Sequence, residues 1–225
     1  MYFETNNLTK KYNNKIAVNN VSIHVSEGCI YGLIGKNGAG KTTLMKMLSG
    51  LVIPTSGTIS NIDKLRNVGV LIEAPGLYLN RTCFDNLKFK MMLSGTYNEM
   101  ECLRLLKMVG LKDDVRTKAS KLSLGMKQRL GLALALASQS KLLILDEPMN
   151  GLDPDGMMDL RDILVSLKEK GMTILISSHL LSELDKIADT FGFMHEGKLV
   201  KEMNRDDSDE SLEEIYLQIT RGPKS

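Results

Sequence analysis

The chain has 225 residues, 43% hydrophobic and 25% charged, an ordinary composition for a protein that buries its own core. Lys and Arg total 29 against 27 Asp and Glu, a net charge of +2, so no overall field draws nucleic acid or anionic lipid. With no Trp and 5% aromatics, the composition does not favour a base-stacking platform for nucleic acid either. The longest charge-free run, Met47 to Ile62, holds Gly50, Pro54 and Gly57 and would not cross a bilayer. Met1 to Lys11 lacks the apolar stretch of a secretory signal. Cys29, Cys83 and Cys102 are odd in number and show no metal-ligand spacing, which fits a reduced, cytosolic setting; Cys29 reads as a small core residue.

The first third reads as β-rich. Val21, Ile23 and Val25 alternate with Ser22 and His24, the pattern of a half-buried strand with His24 on the solvent face. Cys29 to Ile34 is a continuous apolar run, expected as a strand covered on both faces. A helix is expected over Lys41 to Ser49, and further strands over Gly57 to Ile62 and Asn67 to Ile72. Helical spacing then takes over in Phe84 to Leu93, Met100 to Val109 and the Ala/Leu-rich Ser123 to Ala137. Leu142 to Leu145 is again a buried strand. Pro154 to Lys170 is an amphipathic helix with Met157, Leu160, Leu164 and Leu167 on one face and Gly171 closing it. A strand over Met172 to Ile176 and a helix over Leu180 to Ala188 follow. Phe191 to Met194 and Lys198 to Met203 form a hairpin about Glu196-Gly197. The acidic stretch Asp206 to Glu214 opens a last helix, Ser211 to Thr220, where the dipole favours acids. Strands at both ends of a helical block predict an α/β core with a helical insertion near 80–140.

Gly35-Lys36-Asn37-Gly38-Ala39-Gly40-Lys41-Thr42 fits the spacing of a phosphate-binding loop, directly after a buried strand and at the start of a helix. The glycines let the backbone wrap tightly and turn N–H groups toward phosphate oxygens, and the helix N-terminus adds positive charge at the same point. Lys41 supplies a full charge to the β- and γ-phosphates. Thr42 offers its hydroxyl to Mg²⁺, and Thr43 one to the α-phosphate. Leu142-Leu143-Ile144-Leu145-Asp146-Glu147 is a buried strand ending in two acids at the edge where parallel sheets bind ligands. Neighbouring residues on a strand point to opposite sides, which gives the acids separate tasks. Asp146 suits the metal side, and Glu147 a base that polarises the attacking water. His179, after Ser177-Ser178 at the end of another core strand, can reach the γ-phosphate.

With Leu122-Ser123-Leu124-Gly125-Met126 between these two motifs, the chain resembles the ATP-binding subunits of ABC transporters over essentially its whole length. That family usually reads Leu-Ser-Gly-Gly-Gln here, so Leu124 and Met126 are departures. The resemblance implies a P-loop NTPase core of RecA type over about 1–79 and 141–205, with an antiparallel β subdomain. It also implies a helical subdomain over about 80–140 and a C-terminal helix and tail over 206–225. Tyr12 matches the aromatic that stacks on adenine, and Val18 an apolar neighbour of the base. Ser123, Leu124, Gly125 and Met126 are implied to bind ATP held by a second nucleotide-binding subunit, identical or not. Asp153, in Gly151-Leu152-Asp153, matches the acid that links two active sites; it also suits a helix N-cap before Pro154. Glu73 stands where the family usually has Gln. With the altered signature it resembles the bacitracin-resistance and lantibiotic-immunity exporters of Gram-positive bacteria, and it is implied as a ligand of Mg²⁺. The implied partners are separate membrane permease subunits, which would hold the chain at the inner face of the cell membrane, and no nucleic acid. The rival from another class is a soluble ABC ATPase of DNA repair or translation; within transport, drug or lipid export is the rival cargo.

Overall fold

Residues 1–65, 68–208 and 210–221 are described in a computed structural model. Strands β1 (Phe3–Tyr12), β2 (Lys15–Val21) and β3 (His24–Val25) lie antiparallel with β1 in the middle. Val21, Ile23 and Val25 are fully buried and His24 is half exposed, as their alternation predicts. The run is nonetheless two strands. The Thr5 hydroxyl of β1 donates to Val21 O and accepts from Ile23 N, so a side chain replaces the ladder at Ser22.

β4 (Ile30–Ile34) is buried along its whole length and leads through the Gly-rich turn into α1 (Lys41–Leu48). β5 (Ser56–Ile59) returns to pair with β1. It stops short of the predicted Ile62 because Asn61 takes a left-handed backbone, φ 52°, and Ile62–Leu65 coil into a 3₁₀ turn. β6 (Gly69–Leu71) is shorter than predicted, and Asn67 lies outside the described residues.

The helical block holds α2 (Cys83–Leu93), α3 (Glu99–Met108) and α4 (Leu124–Leu136). Thr82 and Asp85 form a reciprocal capping box on α2, and Asn98 caps α3, each cap contributing about 1 kcal/mol. Leu87, Met91, Cys102, Leu106, Leu130 and Ala133 meet in the core between these helices, and α4 also packs on β6. The Ala/Leu-rich body of α4 is buried, but its N-terminal turn is not; Leu124 is 54% exposed.

β7 (Leu142–Asp146), α5 (Pro154–Glu169), β8 (Thr173–Ser178), α6 (Leu181–Leu184), β9 (Thr190–His195), β10 (Lys198–Asn204) and α7 (Leu212–Arg221) complete the chain. α6 is half the predicted helix. Beyond it Asp189 is pulled to β4, its carboxylate accepting Ile30 N–H and its own N–H reaching Ile30 O, while Arg205 takes the Ala188 carbonyl. These bonds end the helical repeat. The second sheet runs β10-β9-β4-β8-β7-β6, parallel except for β10. Its central strands are buried and mainly apolar, with Asp146, Ser177 and Ser178 at the carboxyl ends of β7 and β8, and each fully buried Leu or Ile contributes roughly 1.5–3 kcal/mol. The carboxyl ends of β4, β7 and β8 therefore lie side by side at one edge, the position where open α/β sheets take their ligands.

Candidate active site

A cavity of about 620 Å³ opens at that edge. Lys36, Asn37, Gly38, Gly40, Lys41, Thr42, Thr43 and Glu147 line it, all foreseen in the sequence. Gly38 and Gly40 take φ of 84° and 104°, a conformation that glycine adopts at little cost and that strains a residue with a Cβ. At Gly40 a Cβ would also sit 2.5 Å from Ala17 O, and at Gly35 2.6 Å from Met194 O. Gly40 is the N-cap of α1 and offers no side-chain cap, so the first-turn amides and the positive end of the dipole face the cavity. Ala39 is buried behind the loop, its N–H bonded to Lys36 O.

Lys41 is 5% exposed. Its ammonium donates to Gly35 O at 2.6 Å and lies 3.2 Å from Glu147 Oε1. That oxygen of Glu147 is buried and accepts no hydrogen bond, so the ammonium alone compensates it. The other oxygen, Oε2, pairs with His179 Nδ1 at 2.7 Å and accepts the His179 N–H at 3.3 Å. Glu147 holds φ at 49°, a strained conformation for a residue with a side chain, of the kind that concentrates at functional sites. Asp146 is buried and points the other way: its Oδ2 accepts the Thr42 hydroxyl at 2.7 Å, and its Oδ1 the Ser177 hydroxyl at 2.5 Å. Among the described residues no three His, Cys, Asp or Glu side chains gather as a metal cage. Thr42 and Asp146 give two hard oxygen donors instead. That set fits magnesium, which keeps several waters and takes the rest of its shell from phosphate.

Val18 is corrected. It is fully buried in the core between the two sheets, whereas Ala17 and Ile16 line the cavity. Tyr12 stands at the end of β1 opposite Lys15, itself a lining residue. Its ring is 46% exposed, with Lys10 Nζ 5.1 Å from the centroid. Glu73 is not brought to Thr42 and Asp146; it is bonded to Lys46 Nζ at 2.5 Å, and that bond raises the Lys46 pKa above the ordinary lysine value. Ser123, Leu124, Gly125 and Met126 line no part of this cavity. Ser123 caps α4, its hydroxyl accepting the Met126 N–H at 3.2 Å. Asp153 caps α5 through Gly156 N–H at 3.0 Å. Glu196 and Gly197 were missed as lining residues. Their hairpin was legible, but its position over the loop, with Gly197 N–H bonded to Ala39 O at 3.0 Å, depends on contacts distant in sequence.

Residues 18–150 match the ABC transporter family. The chain is 48% identical over 217 residues to the lantibiotic transport ATP-binding protein SrtF of Streptococcus pyogenes, covering 93% of each. It is 49% identical over 211 residues to the bacitracin transport ATP-binding protein BcrA of Enterococcus faecalis, covering 89% of this chain and 68% of that one. A solved structure of the ATP-binding subunit of an ABC transporter superposes with a TM-score of 0.85 at 30% identity, over 97% of this chain and 99% of the other.

Proposed function

The chain belongs to the ABC transporter family as an ATP-binding, ATP-hydrolysing subunit, and from that premise we propose how its residues divide the work. Adenine lies against Tyr12 and beside Ala17, and the triphosphate lies in the loop from Gly35 to Thr43, with Lys41 between the β- and γ-phosphates. Thr42 and Asp146 hold magnesium. When bound, that ion spreads the charge of the β- and γ-phosphates. Glu73 would add a third oxygen donor for magnesium, and to do so it would have to leave Lys46. Arrival of the phosphates draws the Lys41 ammonium off Glu147 Oε1. That frees a buried carboxylate oxygen to orient and polarise water, while His179 keeps Oε2 in place. The observation that carries this reading is the meeting of Lys41, Thr42, Asp146, Glu147 and His179 around one cavity.

Ser123, Leu124, Gly125 and Met126 complete the site of a second nucleotide-binding subunit, identical or not, with Asp153 at the joint. The exposure of Ser123 and Leu124 at a helix N-terminus away from the chain's own cavity supports that division. Cargo passes through a separate permease, a reading supported by relatives named as the ATP-binding proteins of transport systems; no described helix is long and apolar enough to cross a membrane. The permease holds the chain at the inner face of the cell membrane and docks near the helices between about 80 and 140. The cargo is a peptide antibiotic of the lantibiotic or bacitracin type; support comes from the names of the two relatives and from Glu73 and Ser123-Leu124-Gly125-Met126. Deleting the gene is expected to sensitise cells to such a peptide, with rescue by the wild-type chain and not by Glu147→Gln. Unchanged sensitivity removes the cargo assignment, and co-purification with ribosomes or DNA in place of a polytopic membrane protein removes the transport role.

A further inference from the structure

Both acidic residues of the site are tied to one side chain outside the motifs, Asp146 through its carboxylate and Glu147 through its backbone N–H. Ser177, on β8, is fully buried and stands opposite Asp146 in the parallel register of β7 and β8. Its hydroxyl donates to Asp146 Oδ1 at 2.5 Å and accepts the Glu147 N–H at 3.0 Å. Its carbonyl accepts the same N–H at 3.2 Å. A hydroxyl has one proton, and here it is spent on Asp146. Asp146 Oδ2 is then left to take the Thr42 hydroxyl at 2.7 Å. The carboxylate cannot turn without losing one of these two bonds. Glu147 likewise stays at its φ of 49° while its N–H is held by Ser177. An apolar residue would fill the same buried space, so burial alone does not account for the hydroxyl. The adjacent Ser178 differs: its hydroxyl accepts Leu180 N–H at 2.9 Å, a local turn contact.

We propose that Ser177 is a positioning residue for hydrolysis. Through Asp146 it aims the Thr42 hydroxyl at magnesium, and through the Glu147 N–H it sets where the catalytic carboxylate stands. The inference rests on the magnesium placement proposed above. It is tested on the full chain with Ser177→Ala and with Ser177→Cys, which keeps the volume but is a weak donor. ATPase is measured as Mg²⁺ is varied, and Mn²⁺ binding to the ADP complex is followed by electron paramagnetic resonance, with Thr42→Ala alongside. Both Ser177 variants are expected to lower kcat by about 10–100-fold and leave the KM for ATP within about twofold, the scale of a lost hydrogen bond to a charged group. They are also expected to weaken Mn²⁺ binding by roughly fivefold or more. A kcat near that of wild type overturns the proposal. So does a lowered melting temperature with Mn²⁺ affinity unchanged while Thr42→Ala loses it, because Ser177 is then only structural. Wild-type Mn²⁺ affinity in Thr42→Ala removes the magnesium placement itself, and the proposal with it.

Discussion

Two helix N-termini in this chain carry phosphate-type motifs, and they are built in opposite ways. At α1 the surroundings are finished: Lys41 is buried, Thr42 is bonded to Asp146, and Glu147 is held by His179. At α4 the end of the helix is bare: Ser123 caps it, Leu124 is 54% exposed, and neither lines the cavity. The first end is surrounded by side chains the same chain supplies, and the second, on the function proposed above, is half a site. Substitutions at the first should act in an isolated chain, and those at the second only where chains meet.

The largest expected effect is at Lys41. Lys41→Ala removes the one buried ammonium in the cavity and should abolish measurable ATP binding by calorimetry; wild-type affinity would break the comparison at its stronger end. Glu147→Gln comes next. Hydrolysis should fall by about 10²–10⁴-fold with ATP binding retained, and the ATP-bound form should run as a dimer on gel filtration. Ser123→Ala sharpens the contrast. It should leave ADP binding by the single chain unchanged, lower hydrolysis by about 10–100-fold and cost about 1 kcal/mol of stability as a lost cap. A change in ADP affinity would mean that the two helix ends share one site within the chain.

The smallest effect lies in the core. Burial pushes the Cys83 thiol up from its ordinary 9.0 to about 11, with Asp114 adding to the shift. The folded chain therefore keeps a proton that the unfolded chain gives up. Its contribution to stability is whole below about pH 9 and is lost as pH climbs toward about 11. Urea midpoints at about pH 8 and about pH 10.5 should differ less in Cys83→Ala than in wild type.

What the sequence disclosed followed from how local each feature is. The phosphate loop and the acids that close β7 are contiguous runs, and their neighbours on the page are their neighbours in space. Asp153 was legible as a cap for the same reason, since a cap bonds three residues ahead. The sequence did not disclose that Val18 is buried in the core while Ile16 and Ala17 line the cavity, because the strand's placement is set by partners distant in the chain. The helix from Leu180 stops early because Asp189 is claimed by Ile30, far off in the chain. Ser177 carries no motif of its own; only the pairing of β7 with β8 sets it against Asp146.

The turn at Gly197 has a consequence for dissection. Its carbonyl takes the Asn19 N–H at 2.7 Å while its N–H goes to Ala39 O, so one residue staples the β1–β2 hairpin, the phosphate loop and β9–β10 together. Trimming this chain to its N-terminal strands, or swapping them into a chimera, would sever that staple and disturb the loop from outside. Such fragments would report the cut rather than the intact architecture.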